Sequence, residues 1–223
     1  MKIQAVFWDY DNTILETAEA HWNKHHTVLR RHGIHLPESY RQRVYENNGV
    51  QNWDWMHQEL GLPISQENYL YEIDAEFQQA IQTLEMRPGV SQLLALFQDL
   101  EIPQAIITNA RRDSAEPVLQ RRGIAALMQF ILFKEDYEGR KPDPTPYLVG
   151  LTKMAKVLEE PIHAKQCVAI EDDPKGVEAA HKAGLIVIHR KLREDDLDSP
   201  FADYACYQTD HFLEVMQNIM PLK

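Results

Sequence analysis

The chain has 223 residues, 44% of them hydrophobic and 26% charged, which suits one sizeable core or a core with a small insert and disfavours a disordered chain. A net charge of −11 repels nucleic-acid phosphates, so no nucleic-acid partner is expected, and an anionic ligand would need cations placed at its own site. The two cysteines, Cys167 and Cys206, form no CxxC pair and sit in apolar stretches, signalling buried thiols rather than a disulfide framework or a thiol-bound zinc.

Residues 3–8 form a short, nearly continuous apolar run, the pattern of a strand buried on both faces in a parallel sheet. The run is shorter than the apolar stretch of a secretory signal, and nothing approaches the roughly 18 apolar residues of a membrane span. A cytoplasmic protein without a membrane partner is expected. From about residue 16 to residue 85 the pattern is helical, with no buried strand, and holds Trp22, Trp53 and Trp55. Pro88-Gly89 marks the return to the sheet. A helix is predicted over 90–100, then a strand over 104–108 and a helix over 114–122 that stops at Gly123. Next come a strand at 130–133, a helix at 145–158, a strand at 167–170 and a helix at 174–183 stopped by Gly184. A strand at 185–189, a weaker strand at 202–207 and a helix over 211–220 complete the series. Strands alternating with helices predict an α/β fold built on a parallel sheet, interrupted once by a helical insert.

Chemistry-bearing residues follow these strands. Asp9 and Asp11 come directly after the first, and in open α/β sheets ligands bind beyond the carboxyl ends of strands. Two carboxylates two residues apart repel if they converge, so they need a shared proton or a cation; magnesium, with oxygen ligands, supplies one. Asp, Asn and Thr are also ordinary turn residues. Thr108 and Asn109 follow the second strand, where the hydroxyl would donate to a phosphoryl oxygen or cap the next helix. Lys141, in the proline-stiffened GRKPDPTPY, is a compact cation for phosphate or a solvated surface lysine. Glu171, Asp172 and Asp173 end another buried run, as metal ligands or as the cap of the helix beginning at Pro174; the two readings are compatible.

Four segments carry a resemblance: WDYDNTI at 8–14, IITNA at 106–110, RKPDPTPY at 140–147 and IEDDPKGVEAAHKAG at 170–184. In this order they resemble the motifs of the haloacid dehalogenase superfamily, in the phosphatase branch that includes phosphoglycolate phosphatase and β-phosphoglucomutase. The resemblance implies a three-layer, Rossmann-like core from residues 1–15 and 86–223, with an all-helical cap at 16–85. It implies that Asp9 attacks phosphorus and becomes an aspartyl-phosphate, while Asp11 protonates the leaving oxygen and then activates water. Thr108 and Lys141 would bind the phosphoryl group, and Asn109 would orient it or its loop. Magnesium would be held by Asp9, the main-chain carbonyl of Asp11, Asp172, and Glu171 directly or through water. The substrate would be a small phosphorylated metabolite, with specificity carried by the cap, where His21, Arg41, Arg43, Tyr45, Asn47 and Asn48 are candidates and Trp22 and Trp53 read as cap core.

Two positions depart from the family pattern. Asn12 stands where glycine is usual, and Asn takes left-handed geometry more readily than most residues. Asp173 stands where serine is usual. Among competing activities, a haloacid dehalogenase is disfavoured because Asp11 is present. A sugar-phosphate mutase of the β-phosphoglucomutase type shares all these core residues. A phosphonate-cleaving enzyme would need a cap lysine, for which Lys24 is the one candidate. A receiver domain suits the insert and Thr13 poorly, and a non-catalytic phosphometabolite-binding protein has no need of every reactive group.

Overall fold

The computed structural model describes residues 2–219. In chain order, β1 is Ala5–Trp8, followed by α1 Ala18–Arg31, α2 Arg41–Glu46, α3 Gly49–Leu60 and α4 Gln66–Ala80. Then come α5 Val90–Asp99, β2 Gln104–Ile107, α6 Arg112–Arg121, β3 Phe130–Leu132 and α7 Thr145–Leu158. The chain continues through β4 Cys167–Glu171, α8 Pro174–Lys182, β5 Ile186–Arg190, β6 Tyr204–Cys206 and α9 Thr209–Ile219. It divides into two compact units, Met1–Glu16 with Glu85–Lys223, and Thr17–Leu84.

The first unit is built on a parallel sheet in the order β3-β2-β1-β4-β5-β6, the Rossmann order. The strands read as apolar runs because the central ones are covered on both faces: every residue of β1, β2 and β4 is buried. On one face Phe7 and Ile107 pack in a cluster with Tyr147 and Met154 of α7 and Val177 and Ala180 of α8. On the other, Trp8 tilts against Phe97 of α5 at 5.8 Å, and its indole N–H donates to Gln104 Oε1 at 3.0 Å. Gln104 in turn donates to the Leu94 carbonyl at 3.1 Å, so this buried polar pair is satisfied.

The predicted elements are all present, with shifted ends. Residues 3 and 4 precede the ladder, and Gln4 instead donates its N–H to the Gln166 carbonyl at 2.7 Å. β4 and β5 each run one residue further than predicted, to Glu171 and Arg190. α6 starts two residues earlier than predicted, with Arg111 at its N-cap. α9 starts at Thr209; Met220, the predicted last residue of that helix, lies outside the described residues. The predicted insert holds helices and, among the described residues, no strand, and both cysteines are free and buried. No helix among the described residues is long and apolar enough to cross a membrane.

The second unit, α1–α4, has its own core of Trp22, Val28, Leu29, Trp55, Met56, Tyr69 and Ile73 with smaller neighbours. α3 opens on a capping box in which Asn48 and Gln51 exchange main-chain bonds at 3.0 Å, and Ser65 caps α4. The Arg31–Glu76 ion pair at 2.5 Å and the contact of His32 Nε2 with Glu72 Oε1 at 3.1 Å tie the end of α1 to α4. Between them His25 is buried with Nδ1 2.6 Å from the Tyr69 hydroxyl.

Burial first, then Lys24 and His21 nearby, hold the pKa of His25 well below the ordinary imidazole value of 6.5. The folded state therefore keeps His25 neutral while the unfolded chain takes up a proton below pH 6.5, so its contribution to stability is present above that pH and lost as pH falls. The drop in melting temperature between about pH 7.5 and pH 5 should be smaller in His25→Gln than in the wild type. Equal drops in both proteins would remove His25 as a source of acid sensitivity.

Candidate active site

The parallel register brings the strand ends of the first unit together. Trp8 of β1 lies level with Ile106 of β2 and Ile170 of β4, so the next residues, Asp9, Ile107 and Glu171, emerge side by side. β1 is also where the strand order reverses, between β2 and β4, which is the position where open α/β sheets bind ligands. A cavity of about 170 Å³ opens there, lined by Asp9, Asp11, Asn12, Thr108, Asn109, Lys141, Glu171, Asp172 and Asp173, with Lys175 and Gly176. Asp9, Asp11, Thr108, Asn109, Lys141, Glu171 and Asp172, the residues the resemblance assigns to catalysis, phosphoryl binding and the metal, all line this one cavity, whereas none of the cap candidates does.

Asp9 is held from two sides. Its N–H donates to the Ile170 carbonyl at 3.0 Å, and one carboxylate oxygen accepts from Lys141 Nζ at 2.6 Å. The chain then turns tightly: Ile14 N–H returns to the Tyr10 carbonyl at 3.0 Å, with Asn12 at φ +51° between them. That left-handed residue is the one standing in place of glycine, and an asparagine accommodates it. Arg87, buried, grips the turn by donating to the Asn12 carbonyl at 2.7 Å and to the Arg190 and Lys191 carbonyls at 3.0 and 2.8 Å. Thr13 donates to Asp172 Oδ1 at 3.1 Å and so joins this turn to the acids after β4.

Lys141 is not a solvated lysine; it is 5% exposed. Its ammonium donates to Asp9 and to the Ile107 carbonyl at 2.8 Å and lies 2.6 Å from Glu171 Oε1, which occupies all three of its protons. Burial opposes its charge, but Asp9 and Glu171 hold its pKa well above the ordinary lysine value. Glu171 also accepts from the Tyr147 hydroxyl, and the Tyr147 ring lies 5.2 Å below Lys141 Nζ. Asp172 is held through its main chain as well: His189 Nε2 donates to its carbonyl at 3.0 Å.

Thr108 does not cap α6. Its hydroxyl oxygen accepts the Ala110 N–H at 3.0 Å, and its N–H donates to the Leu132 carbonyl at 3.0 Å. A hydroxyl that accepts in this way keeps its own proton for an anion in the cavity. Asp173 is exposed and caps α8, accepting from Lys175 N–H at 2.8 Å, so the capping role falls to the third acid and the first two face the cavity buried.

Asp9, Glu171 and Asp172 offer ligand oxygens that all lie within 4.8 Å of one another. Burial pushes the Asp9 carboxyl well up, Lys141 pulls it back, and Glu171 and Asp172 push it up again. Asp172 is pushed up to about 8 by burial, then by Glu171 and Asp173. Glu171 is likewise raised, chiefly by burial, against the pull of Lys141. With the three ionised, one ammonium offsets one charge. The remaining excess, presented by oxygen atoms alone, fits a hard cation.

Several supporting residues were given no role from the sequence, although Tyr147 and Gly176 lie within the motif segments at 140–147 and 170–184. Tyr147 and His189 act through contacts made across the fold. Gly176 does so through an absence: a Cβ there would stand 2.1 Å from Glu171 Oε2 and 2.3 Å from its carboxyl carbon. In the other unit, several specificity candidates are engaged locally. Arg43 pairs with Glu59 at 2.6 and 2.7 Å, Asn47 donates to the Arg43 carbonyl at 3.0 Å, and Asn48 caps α3. Arg41 pairs with Glu19 and Glu38, and Tyr45 donates to the Ala18 carbonyl at 2.9 Å. His21 stacks on Phe77 at 4.4 Å beside Lys24, whose Nζ lies 3.3 Å from His21 Nδ1. Trp22 is buried in that unit's core, and Trp53 is half-buried, donating to the Ile64 carbonyl at 3.0 Å.

The family model for haloacid dehalogenase-like hydrolases matches residues 6–189, and the chain belongs to that family. Among individual relatives, the phosphorylated carbohydrates phosphatase of Thermotoga maritima is 24% identical over 184 residues, covering 82% of this chain and 82% of its own. The solved structure of a HAD family hydrolase from Deinococcus radiodurans with bound phosphate and sodium superposes with a TM-score of 0.80 at 18% identity, covering 99% of this chain and 98% of that one. The β-phosphoglucomutase structure from Clostridium difficile gives 0.74 at 19% identity, covering 97% and 96%. These structural likenesses establish the fold. Distant relatives by sequence are phosphatases of various small phosphorylated metabolites.

The Gly176 contact is testable. Adding one methyl by Gly176→Ala must move Glu171 or α8, and overpacking of this kind costs about 1–3 kcal/mol. Urea unfolding should show a loss in that range, and Lys141 should lose one of its two carboxylate partners in a crystal structure of the variant. Unchanged stability with Glu171 in place would refute the constraint.

Proposed function

We propose that this chain is a magnesium-dependent phosphatase acting on a small phosphorylated metabolite through an aspartyl-phosphate at Asp9. The observation that carries this reading is Asp9 at the sheet's reversal point, fixed by Lys141 and facing two further buried acids across one cavity. A carboxylate so held has its attacking oxygen oriented before substrate arrives, and orientation is a large part of what phosphoryl transfer needs from a protein.

In the first step an Asp9 oxygen bonds to phosphorus as the ester P–O bond breaks, and Asp11 gives its proton to the departing oxygen. In the second, Asp11 takes a proton from water, whose oxygen attacks phosphorus, releasing inorganic phosphate and restoring Asp9. Two easier steps replace one hard one. Thr108 donates its hydroxyl proton to a phosphoryl oxygen, and Asn109 borders the same space. Lys141 acts on the phosphoryl group chiefly as a charge, since its protons hold Asp9, Glu171 and the Ile107 carbonyl. Asp9, Asp172, the Asp11 carbonyl and Glu171, directly or through water, would hold the magnesium ion, which when bound neutralises phosphoryl charge. Residues 16–85, as a cap, would select the leaving group. Two unpaired buried thiols suit a reducing, cytoplasmic setting.

Asp9→Asn should abolish turnover of p-nitrophenyl phosphate while leaving the circular dichroism and melting curve unchanged. Asp11→Asn should lower kcat by about 10²–10⁴. EDTA should stop the wild-type reaction and magnesium should restore it. Full activity in Asp9→Asn would end the nucleophile assignment, and indifference to EDTA would remove the metal. Formation of a phosphate isomer in place of free phosphate from a sugar phosphate would identify a mutase instead.

A further inference from the structure

The loops after β2 and β3 are stitched together by side chains that the reaction does not call on. Asp136 accepts the Phe133 N–H at 2.9 Å and a pair of bonds from Arg112 Nη2 at 2.6 Å. Glu135 accepts the Arg112 N–H at 3.1 Å, and the Arg112 guanidinium lies 4.5 Å from the Phe133 ring centre. The Lys134 N–H reaches across to the Ala110 carbonyl at 3.0 Å. Next in the chain is Tyr137, half-buried, whose hydroxyl donates to the Thr108 carbonyl at 2.5 Å, with Asn109 Oδ1 further off at 3.3 Å.

A phenol has one proton, and the shorter contact takes it. Burial raises the Tyr137 pKa, although Lys141 lowers it, so the proton stays on the oxygen at neutral pH. The peptide joining Thr108 to Asn109 is planar and trans, with its carbonyl and its N–H on opposite edges. A bond that fixes the carbonyl therefore fixes the direction of the Asn109 N–H, which donates to no main-chain carbonyl among the described residues. It also fixes the main chain from which the Thr108 hydroxyl projects, and both residues line the cavity.

We propose that Tyr137 is a positioning residue for phosphoryl binding: its hydroxyl pins the Thr108–Asn109 peptide so that the Thr108 hydroxyl and the Asn109 N–H remain a preset pair of donors. The proposal rests on the phosphatase reading for the identity of the anion. It requires nothing of Tyr137 toward the metal, and the hydroxyl contributes little to the fold, because the clamp between the two loops is made by Asp136, Glu135 and Arg112.

Tyr137→Phe removes the hydroxyl alone. Calorimetric titration with inorganic phosphate in the presence of magnesium should show binding weakened about tenfold, and kcat/KM for p-nitrophenyl phosphate should fall by a similar factor. The melting temperature and the magnesium dependence of activity should stay at wild-type values, which a merely structural role would not allow. Wild-type phosphate affinity in Tyr137→Phe would overturn the proposal, as would a lowered melting temperature without selective loss of phosphate. A wild-type protein that binds phosphate without turning over any ester would fail the phosphatase reading, and the titration would still decide on Tyr137. A wild-type protein that binds no phosphate would overturn both.

Discussion

The site depends on one buried ammonium. Lys141 lies between Asp9 and Glu171 at 2.6 Å from each, and it offsets charge in a buried pocket that three carboxylates share, with Arg87 acting on Asp172 besides. Uncompensated buried charge is among the costliest arrangements a protein can hold, and removing one partner of such a set is worse than never having built it. Lys141 also donates to the Ile107 carbonyl at the end of β2, so the same three protons that balance charge lock β1, β2 and β4 together at their carboxyl ends. Charge balance and geometry are one constraint here. The loop carrying Lys141 has to be stiff for this to work, and Asp143 contributes by accepting the Thr145 N–H at 2.8 Å where α7 begins.

The rest of the core serves that arrangement from a distance. Tyr147 lies in the first turns of α7, where it meets Phe7 edge-on at 6.5 Å, supports Lys141 with its ring and bonds Glu171 with its hydroxyl. α8 comes so close to Glu171 that only glycine fits at position 176. Thr13 and His189 hold Asp172 by its side chain and its main chain respectively. Each acid is thus fixed by at least two groups from different elements. This lets like charges stay converged on a space a cation can enter instead of rotating apart.

Much of this was legible in the sequence, for identifiable reasons. Short apolar runs report strands covered on both faces, and the acids, hydroxyl and lysine stand directly after them, so their convergence follows from a parallel sheet alone. Legibility failed where a role depends on a partner far along the chain. Taken by itself, Lys141 reads rather as a solvated surface lysine until its burial is seen. Thr108 reads as a helix cap, whereas Arg111 holds that position. Among the three successive acids only the structure separates Asp173, the cap, from Glu171 and Asp172, which face the cavity. Tyr137, Tyr147, His189 and Gly176 look like ordinary core or loop residues, because what they do is set by a single atom elsewhere. In the helical unit, residues named as candidates for substrate contact also make local bonds: Arg43 with Glu59 and the Trp55 face, Asn48 with the start of α3.

A nucleophile and a general acid need opposite surroundings, and in the proposed mechanism they would sit two residues apart, at Asp9 and Asp11. Asp9 is still within the reach of the sheet: its N–H is in the ladder to β4 and its carboxylate is tied to Lys141. Asp11 is beyond it, in a turn that closes through the Tyr10 carbonyl and passes through a left-handed Asn12. Lys141 pulls the Asp9 carboxyl down against burial and the two neighbouring acids, and a bound cation would favour its ionised form further. On the proposed mechanism, the division of labour between the two carboxylates would follow from where the strand stops.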